Sequence, residues 1–128
     1  MTHPVPPSGR YPGRAAIEAY GNGGFRFAGM SHRGSILCLP SAIEAWEVVQ
    51  VRDLDAGSFA RVLDERNHIE TLLVGIGRTP ARLPRETVAA LRAGGMSVDA
   101  MDTGAACRTY NVLLAEGRAV AAALIAVD

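Results

Sequence analysis

The run Thr71-Leu72-Leu73-Val74, followed at once by Gly75-Ile76-Gly77, decides the fold. A short, continuous run of β-branched and apolar residues predicts a strand that is covered on both faces, as in a sheet between two layers. The simplest interpretation of the two glycines is a tight exit from this strand, because a single Gly-x-Gly is a weak motif. A dinucleotide-binding site would need a third glycine and an immediate helix, and Pro80 and Pro84 intervene.

Helical and strand patterns alternate on both sides of this run. Asp55 is a suitable N-cap for a helix in which Phe59, Val62 and Leu63 recur at i, i+3 and i+4. The other predicted elements are a helix from about Pro84 to Gly94, a strand over 97–101, a helix from Asp102 or Thr103 to Gly117, and a strand over 118–127. This alternation predicts α/β layering, with right-handed crossovers wherever neighbouring strands are parallel.

The N-terminal half carries strand signals only. Gly21-Asn22-Gly23-Gly24 supplies the positive φ angles that a hairpin turn requires. Alternation and apolar runs predict four short strands in an antiparallel meander, over 17–20, 25–27, 35–39 and 45–49. We therefore predict a three-layer α/β domain that carries a small antiparallel sheet on its N-terminal side.

The length of 128 residues fits one domain, which we place at residues 15–128. Residues 1–14 contain four prolines and two glycines, and this composition predicts a mobile tail. The tail lacks the apolar core of a secretory signal and the amphipathic helix of a mitochondrial transit peptide. No apolar run of about 18 residues occurs, so no membrane span is predicted.

The charges exclude several classes of function. There are 13 arginines, no lysine and 13 acidic residues, so the net charge is zero and no broad basic field for nucleic acid exists. Without lysine, neither a Schiff base nor a P-loop phosphate site is possible. The many alanines, glycines and arginines indicate a GC-rich bacterial genome, and most of the arginines reflect that bias.

Metal and cofactor chemistry is not predicted. Cys38 and Cys107 cannot form a disulfide scaffold or a four-thiolate zinc site, and we expect both to be buried, inert thiols. His3, His32 and His68 stand alone, without the spacing of metal ligands. No nucleophile elbow and no nucleophile–base set is recognisable, so no catalytic residue is assigned.

One segment combines features of an anion site. A helix that begins near Asp102 with small residues exposes free N–H groups, and Arg108 and Asn111 follow on one side of it. With Arg78 from the neighbouring loop, they would line a crevice for a carboxylate or phosphate. The competing interpretation makes Asp102 or Thr103 a helix cap and Tyr110 a core residue. The predicted crevice residues are Gly75, Gly77, Arg78, Asp102, Thr103, Arg108, Tyr110 and Asn111.

Several strings resemble one family. They are Tyr20 to Phe27, Arg33 to Leu37 with Pro40, Gly75-Ile76-Gly77, Met101 to Ala106, Arg108 to Asn111, and Glu116-Gly117-Arg118. The chain resembles the small domains of unknown biochemical function that include mitochondrial complex I (NADH:ubiquinone oxidoreductase) assembly factor 3 and its bacterial relatives. The resemblance implies a three-layer α/β fold with a mixed central sheet, whose last strand runs antiparallel to its neighbours.

The resemblance also implies a role in respiratory complex I assembly through protein–protein contacts. No enzymatic activity is established for the family, although its recurrent residues include most of the predicted crevice. This chain departs from the pattern at Ile76, where relatives often have threonine, and at Cys107, where alanine is usual. The lack of a transit peptide fits a bacterial cytoplasmic member.

Two functions stay open on the sequence. The first is a non-catalytic interaction module whose partner is a protein, such as membrane-associated respiratory or insertion machinery. The second is a small-molecule or anion-binding protein, or an unrecognised enzyme, that uses the Gly75–Arg78 loop and the helix start at Asp102–Asn111.

Overall fold

The elements were located in a computed structural model, which describes residues 3–4 and 10–128. The strands are β1 His3–Pro4, β2 Arg10–Pro12, β3 Ile17–Gly21, β4 Gly24–Phe27, β5 Met30–Arg33, β6 Ser35–Cys38, β7 Ala42–Trp46, β8 Thr71–Gly75, β9 Ser97–Met101 and β10 Val120–Leu124. The helices are α1 Ala60–Asp64, α2 Arg85–Ala93 and α3 Thr103–Ala115, with 3-10 turns at Val51–Asp53, Ala56–Phe59 and Arg66–His68.

Six strands form a mixed central sheet in the order β2-β7-β6-β10-β8-β9. Helix α2 connects β8 to β9 and helix α3 connects β9 to β10, and these three strands are parallel, as helical crossovers allow. The predicted mixed sheet is confirmed. The last strand, β10, is antiparallel to β6 as implied, but it runs parallel to its other neighbour, β8.

The sheet separates two apolar clusters, which makes three layers. Along β10, Ala121 and Ala123 face the cluster that contains α1 and α2, while Ala122 and Leu124 face the cluster that contains α3. The small N-terminal sheet covers the same face as α3, through residues such as Phe27. Strand β10 is buried along its whole length, as the alternation between the two clusters requires. The predicted three-layer α/β architecture is therefore confirmed.

The second sheet has the order β1-β5-β4-β3, in which β3, β4 and β5 form an antiparallel meander. Its first turn is the predicted one: Asn22 and Gly23 have φ angles of 53° and 81°. The predicted four-strand meander is wrong in composition, because β5 was missed and β6 and β7 belong to the central sheet. Strand β5 is half-buried and polar, so it has no apolar alternation to detect.

The helix starts agree well with the sequence. Asp55 accepts a hydrogen bond from Ser58 N at 2.9 Å and caps the 3-10 turn that leads into α1. Asp102, rather than Thr103, caps α3. On α2 the buried residues are Thr87 and Leu91, whereas the expected Val88 is only half-buried.

Part of the predicted tail belongs to the central sheet. Arg10 to Pro12 pair antiparallel with Ala42 to Glu44, and the backbone of His3–Pro4 pairs with β5. The ring of Tyr11 packs edge-on against Phe27, with 5.9 Å between the centroids. Proline is compatible with an edge strand, because one side of such a strand needs no ladder hydrogen bonds. Met1, Thr2 and residues 5–9, the rest of that prediction, lie outside the described residues.

Replacing Tyr11 tests whether β2 is an integral part of the fold. We expect Tyr11→Ala to lower the free energy of unfolding by about 1–2 kcal/mol, because it removes an aromatic pair that joins the two sheets. Urea denaturation measures this loss. Val112→Ala, at a residue that is 57% exposed, is the control and should change stability by less than about 0.5 kcal/mol. Equal stability of both variants and the wild type would mean that residue 11 belongs to a tail.

Candidate functional site

The candidate site lies where three parallel strands end together. The segments Ile76–Arg78, Asp102–Gly104 and Ile125–Asp128 directly follow β8, β9 and β10. The carboxyl ends of parallel strands share one edge of a sheet, and open α/β sheets bind their ligands at this edge. The structure therefore brings the Gly75–Arg78 loop and the start of α3 together, as the sequence predicted.

Gly75 and Gly77 are required at this junction by contact and by conformation. A Cβ on Gly75 would lie 3.0 Å from the Cα of Thr103 and 3.1 Å from a methyl group of Leu124, so only glycine lets the strand end approach α3. Gly77 has a φ of +98°, which favours glycine. Both glycines thus serve the tight exit from β8.

Thr103 and Asp102 spend their polar atoms inside the protein. The Thr103 hydroxyl donates to Ile125 O at 2.7 Å and accepts from Gly77 N at 3.0 Å. Asp102 accepts from Ala105 N at 2.9 Å, as a helix N-cap does. The cap interpretation of Asp102 is therefore correct, and the buried Thr103 is a structural link between the three strand ends.

Arg108 lies at the rim of the site, next to Tyr20. Its Nη1 donates to the Tyr20 hydroxyl at 3.3 Å. The Tyr20 ring covers Gly104 so closely that a Cβ there would lie 2.4 Å from the hydroxyl oxygen. Because Tyr20 comes from the small sheet, the sequence offered no way to place it over the start of α3.

Tyr110 and Asn111 do not reach the crevice. Tyr110 is a core residue, 1% exposed, whose hydroxyl donates to Ala15 O at 3.5 Å. The Asn111 side chain accepts from Ile17 N and donates to Ile17 O, each at 2.8 Å. A helix residue thus bonds both backbone groups of one strand residue, which accounts for an asparagine in mid-helix. Their assignment to a ligand site is wrong.

What remains of the predicted crevice is a small hollow of about 160 Å³. It is lined by Tyr20, Gly77, Arg78, Asp102, Gly104 and Val127. The guanidinium of Arg78 is exposed and donates to the backbone oxygen of Asp128. The hollow is smaller than the usual 300–1,000 Å³ of a ligand pocket, so it suits an ion or a very small metabolite only.

A larger hollow on the other side of Arg78 was not predicted. It measures about 520 Å³ and lies between the segments 49–52, 76–81 and 125–128; we call it the Val49 groove. Its apolar lining includes Ile76, Ile125 and Val127, and Val49 at its margin is 75% exposed. The sequence analysis placed Val49 in a strand, although β7 ends at Trp46.

Reactive side chains are buried or engaged elsewhere. Cys38 and Cys107 are both buried, as predicted, and burial raises the pKa of the Cys107 thiol to about 12. Desolvation lowers the pKa of His32. Two hydrogen bonds from Arg61 hold the pKa of Glu44 below its usual range, and Arg10 adds a third. Within residues 10–128 no group of three potential metal ligands occurs.

The fold and the strand-end junction define a known family. Residues 17–125 match the family described as "protein of unknown function (DUF498/DUF598)", and the chain belongs to this family. This confirms the family resemblance that the sequence strings indicated.

Individual relatives agree with this assignment. NADH dehydrogenase [ubiquinone] 1 alpha subcomplex assembly factor 3 of Mus musculus is 34% identical over 115 residues, which are 90% of this chain but only 62% of the mouse protein. An uncharacterized protein of Rhodobacter capsulatus, RCAP_rcc01784, is 38% identical over 115 residues and is matched over 87% of its length. The crystal structure of an outer membrane protein from Bartonella henselae superposes with a TM-score of 0.88 at 55% identity, over 92% of this chain and 99% of that one. In the described residues of this chain, no helix is long and apolar enough to cross a membrane.

Replacing Asn111 separates a structural role from a ligand role. We expect Asn111→Ala to cost about 1–2 kcal/mol of unfolding free energy, because it leaves the N–H and the C=O of Ile17 unpaired. Asn111→Asp keeps the bond from Ile17 N but loses the donor to Ile17 O, so its loss should be smaller.

Urea denaturation and hydrogen exchange of the Ile17 amide measure both effects. Arg108→Ala is the control, and we expect it to stay within about 0.5 kcal/mol of the wild type. Wild-type stability and unchanged Ile17 exchange in Asn111→Ala would contradict the structural role.

Proposed function

We propose that this chain is a non-catalytic protein-interaction module that assists the assembly of a respiratory complex. The observation that carries the proposal is its 34% identity, over 90% of its own length, with a protein named as a NADH dehydrogenase assembly factor. The shared part is the α/β domain, which is therefore the part that would act in assembly. Its partner would be a respiratory subunit or membrane-insertion machinery, met from the cytoplasmic side.

The use of polar groups at the strand-end junction supports this proposal. Asp102 is occupied as a cap, the Thr103 hydroxyl bonds two backbone groups, and Asn111 bonds Ile17. A catalytic base or nucleophile has to present a free atom to a substrate. Side chains that are committed to internal hydrogen bonds stabilise a scaffold, and a scaffold is what a binding partner needs.

Deletion of the gene in the organism that carries it tests the assembly role. We expect less assembled NADH dehydrogenase on blue-native gels and lower NADH:quinone activity in isolated membranes, with recovery when the wild-type chain is supplied. The amount of succinate dehydrogenase serves as the control for general effects on the membrane. Unchanged NADH dehydrogenase in the deletion strain would refute the assembly role, and fractionation of the same cells locates the protein.

A second candidate is a small-anion-binding protein, or an unrecognised enzyme, that uses the hollow beside Arg78. It is favoured by the position of that hollow at the carboxyl edge of the parallel strands, with Arg78 and Arg108 beside the start of α3. The carboxylate of Asp102 in the same lining opposes an anion and weakens this candidate.

A thermal-shift screen of phosphate, sulfate and small carboxylates tests the second candidate. A ligand present at one hundred times its Kd adds about 2.7 kcal/mol of stability, which is easily detected. Arg78→Ala and Arg108→Ala should abolish the shift, while Arg92→Ala on the last turn of α2 should keep it. A screen without any shift excludes these ligands from the hollow.

A further inference from the structure

The Val49 groove arises because one strand of the central sheet begins later than its neighbours end. Strand β6 lies between β7 and β10 and pairs with both, with Ser35 opposite Trp46 and Ile36 opposite Leu124. Beyond Ser35 the chain turns away at Gly34, whose φ is +97°, toward the small sheet. The continuations of β7 and β10 therefore flank a gap of two strand spacings, about 10 Å.

Two hollows join along this gap. A hollow of about 320 Å³ lies beside Gly34 and Trp46, and it shares Val49 and Ala126 with the Val49 groove of about 520 Å³. Together they form an elongated depression rather than a closed pocket. The turn of the small sheet fills part of its β10 side, where Gly23 N donates to Val127 O at 2.8 Å.

The β7 side of the depression offers unpaired backbone. Within residues 10–128, no backbone hydrogen bond involves Val48 or Val49. The next residue, Gln50, has extended dihedral angles, with φ −150° and ψ 156°. An extended segment with free N–H and C=O groups beside a groove is the arrangement to which a peptide adds as a strand.

The surroundings of the groove are positively charged. Between Gly75 and Arg85 the chain carries three arginines and no acidic residue. These arginines and Arg52 form no ion pair within residues 10–128. Arg52 and Arg78 line the groove itself, with Asp128 as the single acidic residue in the lining. An apolar floor with unpaired guanidinium groups at its margin complements an apolar side chain that is flanked by carboxylates.

We propose that the Val49 groove binds an extended segment of a partner protein, in which an apolar side chain stands next to acidic residues. The segment pairs with the backbone at Val48–Val49, its apolar side chain covers Val49 and Ile76, and its carboxylates meet the arginines of the 78–85 loop. The assignment rests on the proposed function, since it names the surface by which the module recognises its partner.

Binding of a displayed library of random linear peptides to the full chain tests the assignment. We expect enrichment of peptides that combine an apolar residue with Asp or Glu, and about tenfold weaker affinity for Val49→Asp when an enriched peptide is measured by fluorescence anisotropy. Val112→Asp, at the exposed valine of α3, is the matched control and should bind as the wild type does. Melting curves confirm that both variants fold.

Charge reversal tests the recognition of the acidic residues. The double variant Arg82→Glu, Arg85→Glu should lose the acidic peptides and select basic ones from the same library. Arg92→Glu, about 10 Å further along α2, is its control. Vesicles of phosphatidylcholine and phosphatidylglycerol are the second probe, and binding of vesicles without peptides would overturn the assignment in favour of a membrane surface.

Two results would refute the groove while leaving the assembly role intact. One is a library that yields no peptide sensitive to Val49→Asp. The other is full recovery of NADH dehydrogenase when the deletion strain is supplied with the Val49→Asp chain. An unchanged deletion strain would refute the assembly role instead, whatever the peptides show.

Discussion

The buried hydroxyl of Thr103 is the contact on which the functional end of this protein depends. It links the segments that follow β8 and β10 through Gly77 N and Ile125 O, and it sits on the first residue of α3, after β9. The missing side chain of Gly75 makes that approach possible, at 3.0 Å from a virtual Cβ to the Thr103 Cα. Three loops are thereby held at one sheet edge, and the positions of Arg78, the small hollow and the Val49 groove follow from that junction.

Local signals predicted the C-terminal half of the fold well. The apolar run of β8, the cap at Asp102 and the glycines after α2 act over a few residues, so a single sequence contains them. The N-terminal half was predicted less well, because its strands are short and are shared between two sheets. Nothing local reveals that Gly34 sends the chain from one sheet to the other, or that Arg10–Pro12 completes the central sheet.

The site was predicted in location but only partly in composition. The meeting of the Gly75–Arg78 loop with the start of α3 follows from the parallel order of the strands, which the pattern of helices and strands predicts. The role of Asn111 depends on Ile17, and the position of Arg108 depends on Tyr20, and both partners come from the small sheet. The Val49 groove depends on where β6 begins relative to β7 and β10, a property of strand register that composition does not encode.

The double hydrogen bond between Asn111 and Ile17 has a consequence for solubility. Strand β3 is an outer strand of the small sheet, and an outer strand with free N–H and C=O groups can recruit a strand from another molecule. The carboxamide of Asn111 occupies both groups at Ile17, as a neighbouring strand would. A single helix side chain therefore acts as a guard against edge-to-edge aggregation at the point where the meander begins.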